Sequence, residues 1–256
     1  MKEYSVLVTE NVPIAENIFR MRFSLPEKLA GKTCGKFVNI SVGDGGHLLR
    51  RPIAICACDG DAVTICYQIK GEGTQLLSRR KEGDVLSALL PLGNGFSLAE
   101  NEKTVALVGG GVGIFPMVSV LRDYAGTGKK FYSYIGFRSR AAVCLEEEIR
   151  ALSYQAKIVT DDGSYGEKAN AVSALFEDTE LHPDVILACG PLPMLRALKN
   201  GLHERGSATP CYVSLEERMG CGIGACLVCA CKKSGGNENV RVCKDGPVFH
   251  MDEVEF

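Results

Sequence analysis

The sequence predicts a multidomain α+β chain: an N-terminal antiparallel β-barrel, a doubly wound α/β domain, and a small C-terminal module built around a metal centre. Three observations predict it. Residues 1–99 alternate apolar and polar side chains over short runs separated by turn residues. Residues 100–210 alternate strand and helix patterns. Five of the twelve Cys fall between positions 221 and 243.

In the first segment the period-two runs are Tyr4–Val8, Phe37–Val42 and Ala62–Ile69, and the turns are Asp44-Gly45-Gly46, Asp59-Gly60-Asp61 and Glu82-Gly83-Asp84. Short strands at such intervals predict a small barrel or sandwich, with one short helix over Leu76–Lys81. Pro91–Phe96 reads as the turn leading out. Beyond Glu100 the predicted order is strand Thr104–Val108, helix Ile114–Tyr124 with Pro116 in its first turn, strand Phe131–Phe137, helix Ala142–Leu152 and strand Lys157–Thr160. A helix over Asn170–Phe176, a strand over Asp184–Cys189 and a helix over Pro191–Glu204 complete it. That alternation is the pattern of a parallel sheet with helices on its faces. The segment 211–256 is rich in Gly and Cys and has no long periodicity.

Charge and hydropathy exclude several classes. Twenty-nine Lys and Arg against 31 Asp and Glu give a net charge of −2, without the basic excess of a nucleic-acid-binding protein. The apolar runs are far shorter than the ~20 residues that span a bilayer, so no membrane association is expected. Met1-Lys2-Glu3-Tyr4-Ser5 opens no apolar h-region, and a cytoplasmic location is the default expectation. Seven Cys (34, 56, 58, 66, 144, 189, 211) sit mostly inside apolar runs and read as small buried hydrophobes.

The cluster reads differently. Cys221-x4-Cys226-x2-Cys229 with a distant Cys243 is the ligand order of plant-type [2Fe–2S] centres. Gly220, Gly222 and Gly224 let the backbone curl around such a cluster and offer N–H groups to its sulfurs. A structural zinc site is the alternative, although zinc ribbons favour paired C-x2-C knuckles and only one is present. Cys231 is left over. In the α/β segment, Val105–Val108 leads into Gly109-Gly110-Gly111-Val112-Gly113. Glycines after a strand let the backbone approach a phosphate at a helix N-terminus. The full G-x-G-x-x-G pattern fails at Ile114, and a plain βα turn stays open on this motif alone. Cys189-Gly190-Pro191 and Thr160-Asp161-Asp162-Gly163-Ser164 lie at the same carboxyl edge of the sheet, where ligands of open α/β sheets collect. In the barrel, Arg51 beside Pro52 can hold a pyrophosphate, and Gly73-Thr74 opens a helix. The four His lie in no catalytic context, and no catalytic side chain is assigned.

This order of motifs resembles the electron-transfer subunits of class 1B dihydroorotate dehydrogenases, within the ferredoxin reductase-like superfamily. The resemblance spans nearly the whole chain. It rests on Arg51–Ala54, Gly71-x-Gly73-Thr74, Gly109–Ile114, Thr160–Ser164, Cys189–Pro191, Ser214–Met219 running into Cys221, and Val242–Phe249. It implies FAD on a barrel of residues 1–99, NAD(H) on an α/β domain of residues 100–210, and a [2Fe–2S] cluster on residues 211–256. By it, Arg51, Pro52, Ile53, Ala54, Tyr67, Gln68, Gly73 and Thr74 bind FAD. Gly109, Gly110, Gly111, Gly113, Asp162, Cys189 and Gly190 bind NAD, and Cys221, Cys226, Cys229 and Cys243 hold the cluster. It also implies an FMN-containing catalytic partner that oxidises dihydroorotate, in a heterotetramer serving pyrimidine biosynthesis. Ala54 departs from the superfamily, where Ser commonly offers a hydroxyl to flavin N5. No acidic residue follows Phe137, and Arg138 and Arg140 leave the NAD or NADP choice open. Small subunits of NADH-dependent ferredoxin:NADP oxidoreductases and of sulfhydrogenases are similar, and a non-enzymatic zinc-binding module is the reading from another class.

Overall fold

Alternating side chains over residues 2–92 close into a barrel in the computed structural model, which describes residues 1–43 and 45–256; Asp44, in one of the expected turns, lies outside them. The barrel elements are β1 (Lys2–Ala15), β2 (Ile18–Ser24), β3 (Phe37–Ile40), β4 (Arg51–Asp59), β5 (Ala62–Gln68), helix α1 (Glu72–Ser78) and β6 (Val85–Leu92). The strands form a closed ring in the order β1-β2-β5-β4-β3-β6, antiparallel at every pairing. Closure removes the sheet edges. Val6, Val8, Met21, Phe23, Val38, Ile40, Ile55, Val63, Ile65 and Leu90 point inward and are almost fully buried. The helix expected over Leu76–Lys81 begins four residues earlier. Its first turn carries two glycines, which hide it from periodicity. The Thr74 hydroxyl ties that turn down, accepting from the Lys70 N–H at 3.0 Å and donating to the Gly71 carbonyl at 3.0 Å.

The second unit holds β7 (Thr104–Gly110), α2 (Ile114–Asp123), β8 (Lys130–Phe137), α3 (Glu146–Leu152), β9 (Gln155–Thr160), β10 (Glu167–Lys168), α4 (Ala171–Glu177), β11 (Val185–Cys189), α5 (Leu192–Glu204) and β12 (Cys211–Ser214). Three short strands follow, β13 (Ala230–Lys232), β14 (Asn239–Arg241) and β15 (Val248–His250). The main sheet runs β10-β9-β8-β7-β11-β12-β15 and is parallel except for β15. Both faces are covered. Val105 and Leu107 of β7 enter a core with α2, whereas Ala106 and Val108 enter one with α4 and α5. The chain moves outward from β7 through β8 and β9, then returns to place β11 on the other side of β7. The topological switch point therefore lies between β7 and β11.

Two expectations differ in detail. The helix expected over Ala142–Leu152 is split: a 3-10 turn at Arg140–Ala142 precedes it, Leu145 takes φ +56°, and the helix runs only from Glu146. Buried Cys144 is pinned there in the core shared with the barrel. The strand Cys211–Ser214, placed with the C-terminal module by sequence, is hydrogen-bonded to β11 in the main sheet, and β15 completes that sheet from the chain's end. Six of the seven scattered Cys are buried and Cys58 is half-buried.

The barrel is fastened to the sheet through α2. The Asp123 carboxylate accepts the Thr33 and Cys34 N–H groups at 2.6 and 2.8 Å, and the Tyr124 hydroxyl accepts the Leu98 N–H at 2.8 Å. At the opposite side, Asn94 donates its N–H to Gly246 and its amide to Lys244 and Asp245, tying the barrel exit to the Cys-rich segment. Among the described residues no helix is long and apolar enough to cross a membrane.

Candidate functional site

A cleft of about 940 Å3, solvent space included, opens between the barrel and the switch point of the sheet. The barrel contributes Pro52, Ile53 and Ala54 from the start of β4, Cys66, Tyr67 and Gln68 from the end of β5, and Thr74 from α1. The sheet contributes Val112 and Cys189, and the segment leaving β12 contributes Leu215, Glu216, Glu217 and Met219. Six residues assigned to FAD by sequence therefore share one wall, facing one assigned to NAD. Lys70 at the mouth of α1 approaches Glu216 across the opening, at 4.0 Å.

Arg51 and Gly73 stand beside this wall rather than in it. The Arg51 guanidinium lies directly on Gly73, where any Cβ would come within 2.0 Å of it, and it donates to the Leu49 carbonyl. Tyr67 is held from behind: its hydroxyl donates to Asn11 Oδ1 at 2.9 Å, while Asn11 Nδ2 donates to the Leu77 and Arg80 carbonyls at 3.0 and 2.8 Å. Burial, only partly countered by Asn11, pushes the Tyr67 phenol up, so it stays protonated near neutrality. Burial likewise raises the Cys189 thiol, and a hydrogen bond with Cys56 together with burial raises Cys66 well above its usual range. The cleft thiols are neutral and poor nucleophiles.

The Gly-rich turn is assembled by close packing. Gly113 sits where a Cβ would meet the Cys189 carbonyl oxygen at 2.2 Å and the Gly190 nitrogen at 2.6 Å. It thus performs the helix-to-strand approach that the sixth position of the G-x-G-x-x-G pattern normally serves. Gly111 takes φ +55° with open space around it, and Gly109, Gly110 and Gly190 pack against Ile135 or Met194. Asp162 lies apart, beyond β9 at the same carboxyl edge of the sheet. Its carboxylate accepts the Ser164 hydroxyl and N–H at 2.6 and 2.9 Å, which lowers its pKa. Ser164 in turn accepts the Arg140 N–H, and Arg140 lies over the Tyr165 ring.

The Cys loop follows directly from the cleft. Cys229 and Cys243 are buried, Cys221 is half-buried and Cys226 is exposed. Gly222 and Gly224 take φ +74° and +83°, turning the backbone so that its N–H groups face sulfur. Cys221 Sγ accepts from Ile223, Ala225 and Cys226 at 3.3–3.4 Å. Cys226 Sγ accepts from Cys221, Cys243 Sγ from Gly224 at 3.1 Å, and Cys229 Sγ from Cys243. Among the described residues no three His, Cys, Asp or Glu side chains are placed to grip one ion; a two-iron centre asks instead for two thiolates on each of two metals. Four soft thiolates whose sulfurs already accept backbone N–H groups are the donor set of an iron–sulfur cluster, and the residues fit it. Cys231 lies on β13, half-buried against the core that contains Cys229 and Cys243, with its thiol pushed up by burial.

Burial alone would raise the Cys221 thiol, but the N–H groups of Ile223, Cys226 and Ala225 outweigh it and lower it to about 6. In the cluster-free chain, Cys221 is therefore expected to alkylate with iodoacetamide half-maximally near pH 6, well below an ordinary thiol. The same shift means that stability from the Cys221 thiolate is present above the unfolded thiol's pKa and is lost as pH falls through about 6. Mass-spectrometric mapping of alkylation against pH checks this; a profile rising only above pH 8 would contradict the loop geometry.

A closed barrel, a doubly wound sheet with a cleft at its switch point, and a thiolate loop leading out of that cleft define a pyridine-nucleotide-linked flavin and iron–sulfur reductase. Residues 216–255 match the iron–sulfur cluster binding domain of dihydroorotate dehydrogenase B, and residues 107–200 match the oxidoreductase NAD-binding domain. The chain belongs to the family of electron transfer subunits of dihydroorotate dehydrogenase B (NAD(+)). It is 39% identical over 264 residues to the member from Fusobacterium nucleatum subsp. nucleatum, covering 100% of both chains. It is 42% identical to that of Geobacillus kaustophilus, covering 94% of both. A solved NADH-dependent reduced ferredoxin-NADP oxidoreductase is similar at TM-score 0.83 and 28% identity, over 98% of this chain and 89% of that one. Phthalate dioxygenase reductase shares the fold at TM-score 0.68 and 20% identity, over 91% of this chain and 88% of that one. The chain is an oxidoreductase subunit with FAD, an iron–sulfur cluster and NAD(H) as its cofactors, and a subunit of this kind works with a catalytic partner chain.

Sequence reading did not single out Asn11, Val112, Glu216 or Glu217 as site residues. Asn11 carries no local signal. Glu216 and Glu217 were visible only as part of the run leading into Cys221.

Proposed function

We propose that this chain carries electrons from an FMN-containing catalytic subunit that oxidises dihydroorotate to NAD+, within a cytoplasmic heterotetramer. The observation that carries the reading is the cleft itself. One crevice gathers the β4 start, the switch-point turn residues Val112 and Cys189, and the segment 215–219 that runs straight into Cys221.

The bound cofactors supply the redox chemistry: hydride exchange between nicotinamide and flavin, and single-electron exchange between flavin and the two-iron centre. The chain's residues bind and orient. Pro52, Ile53, Ala54, Tyr67 and Gln68 form the flavin wall, and Arg51 with Gly73 and Thr74 takes the pyrophosphate. Gly109, Gly110, Gly111, Gly113, Cys189 and Gly190 would shape the nicotinamide nucleotide site, and Asp162, held by Ser164 at the same carboxyl edge of the sheet, would bind the nucleotide further out. Cys221, Cys226, Cys229 and Cys243 ligate the irons. Ala54 brings no hydroxyl to the flavin, so N5 would be served by a backbone N–H, by water or not at all. No side chain is needed as a base. Residues 1–99, 100–210 and 211–256 then serve as flavin, nucleotide and cluster units, with β12 and β15 of the last unit built into the sheet of the second. The full-length identity of 39–42% to dihydroorotate dehydrogenase B subunits, against 28% to the ferredoxin-NADP oxidoreductase chain, favours dihydroorotate chemistry.

The test is anaerobic purification with the co-eluting subunit, followed by flavin, iron and sulfide analysis and an assay with dihydroorotate and NAD+. Equal iron and acid-labile sulfide with dihydroorotate-dependent NAD+ reduction is the expected result. A colourless, iron-free protein, or a partner active only in NADP chemistry, would refute the proposal.

A further inference from the structure

We infer that Asn39 is a positioning residue for electron transfer, fixing the Cys221 turn of the cluster loop against the strand pair that carries the flavin wall. The inference rests on the functional reading above.

Asn39 lies on β3, whose Val38 and Ile40 fill the barrel interior. Strand alternation turns Phe37 and Asn39 outward, and Phe37 joins the core that contains Cys229, Val242 and Cys243. The outer face of β3 is thus covered by the Cys-rich segment, and Asn39 is 1% exposed beneath it. Its Nδ2 donates to the Cys221 carbonyl at 3.3 Å. Its amide also presses close on the loop: a Cβ at Gly222 would meet Nδ2 at 2.6 Å and Cγ at 3.3 Å. On the other side, Asn39 pairs in register with Pro52, and Phe37 with Ala54. One residue therefore links the two: its backbone is in register with a cleft-lining residue of β4, and its side chain reaches the backbone of a cluster cysteine 182 residues further on.

Packing does not account for an amide at this place. Oδ1 has no partner, and a buried polar atom left unpaired costs about 1–3 kcal/mol. A leucine would fill the same space without that cost. What leucine cannot do is hold the Cys221 carbonyl, and with it the N–H groups of the loop that point at the Cys221 sulfur. Hydrogen bonds to the backbone behind a metal ligand set the ligand's orientation and the properties of the metal.

The experiment compares N39L and N39D with the wild type, each as the FAD- and cluster-loaded protein. Three readouts are taken: thermal stability, the electron paramagnetic resonance signal and midpoint potential of the reduced cluster, and stopped-flow rates of flavin and cluster reduction by NADH. Flavin reduction is expected to stay at the wild-type rate in both variants. Cluster reduction is expected to slow by about tenfold in N39L, the loss typical of a removed outer-shell partner. N39L is expected to unfold no earlier than the wild type. N39D keeps the shape of the amide but adds negative charge, and is expected to lower the cluster potential and alter its resonance signal. Wild-type cluster rates and signals in both variants would overturn the inference, as would an equal slowing of flavin and cluster reduction. A wild-type protein lacking iron and sulfide would overturn the functional reading and this inference together, whereas a loaded wild type with unaltered variants overturns this inference alone.

Discussion

Cys221→Ser is expected to abolish dihydroorotate-dependent NAD+ reduction in the assembled enzyme while leaving NADH oxidation by a flavin-level dye such as ferricyanide within about twofold of wild type. The reason is local. Cys221 Sγ accepts three backbone N–H groups, and its thiol is already lowered to about 6, so it is prepared to bind iron as thiolate. A serine hydroxyl is shorter, harder and far less acidic. Loss of an outer-shell partner alone costs roughly 10–100-fold at metal sites, and loss of a ligand is expected to exceed about 100-fold here. Iron and sulfide analysis, the visible spectrum and the two assays in parallel check it. Full activity with a depleted cluster would mean that electrons leave the flavin by another route.

Gly113→Ala is the second large effect. The added methyl would stand 2.2 Å from the Cys189 carbonyl oxygen and 2.4 Å from its carbon. Both are backbone atoms at the end of β11, beside the switch point, so neither gives way by rotating a side chain. The first turn of α2 or the end of β11 must move. Overpacking of this kind typically costs about 1–3 kcal/mol, and the crevice that widens is the one proposed for the nicotinamide nucleotide. A KM for NADH raised at least about tenfold (about 1.4 kcal/mol of binding), with flavin and iron content preserved, is the expected result. Gly111→Ala is the comparison: φ +55° carries a strain of about 1–2 kcal/mol for a side chain, but nothing lies within 4 Å of its Cβ. An unchanged KM and melting temperature in Gly113→Ala would contradict the packing described.

Much of this architecture is written locally. The period-two runs that became β1, β3 and β5, the apolar strand before the Gly-rich turn, and the Cys221-x4-Cys226-x2-Cys229 spacing are each short-range patterns. A strand's face, a turn's backbone freedom and a metal's ligand spacing all depend on neighbours within a few residues. The start of α1 was hidden for an equally local reason, since Gly71 and Gly73 interrupt the periodicity while a threonine hydroxyl holds the turn.

Other features exist only once distant segments meet. Joining β12 and β15 to the α/β sheet takes strand pairing across more than thirty residues, and nothing in either segment's pattern names its partner. Gly113 reads as one glycine among several until β11 arrives behind it. Arg51 closes onto Gly73, Asn11 onto Tyr67, and Asn39 onto Cys221, each across two strands or two units. The chain alone determined which elements form and which side chains are competent to bind iron and nucleotide. Tertiary packing decided which of them face one another, because a contact between residues 39 and 221 is set by the closure of a barrel and the register of a sheet rather than by any property of the residues between them.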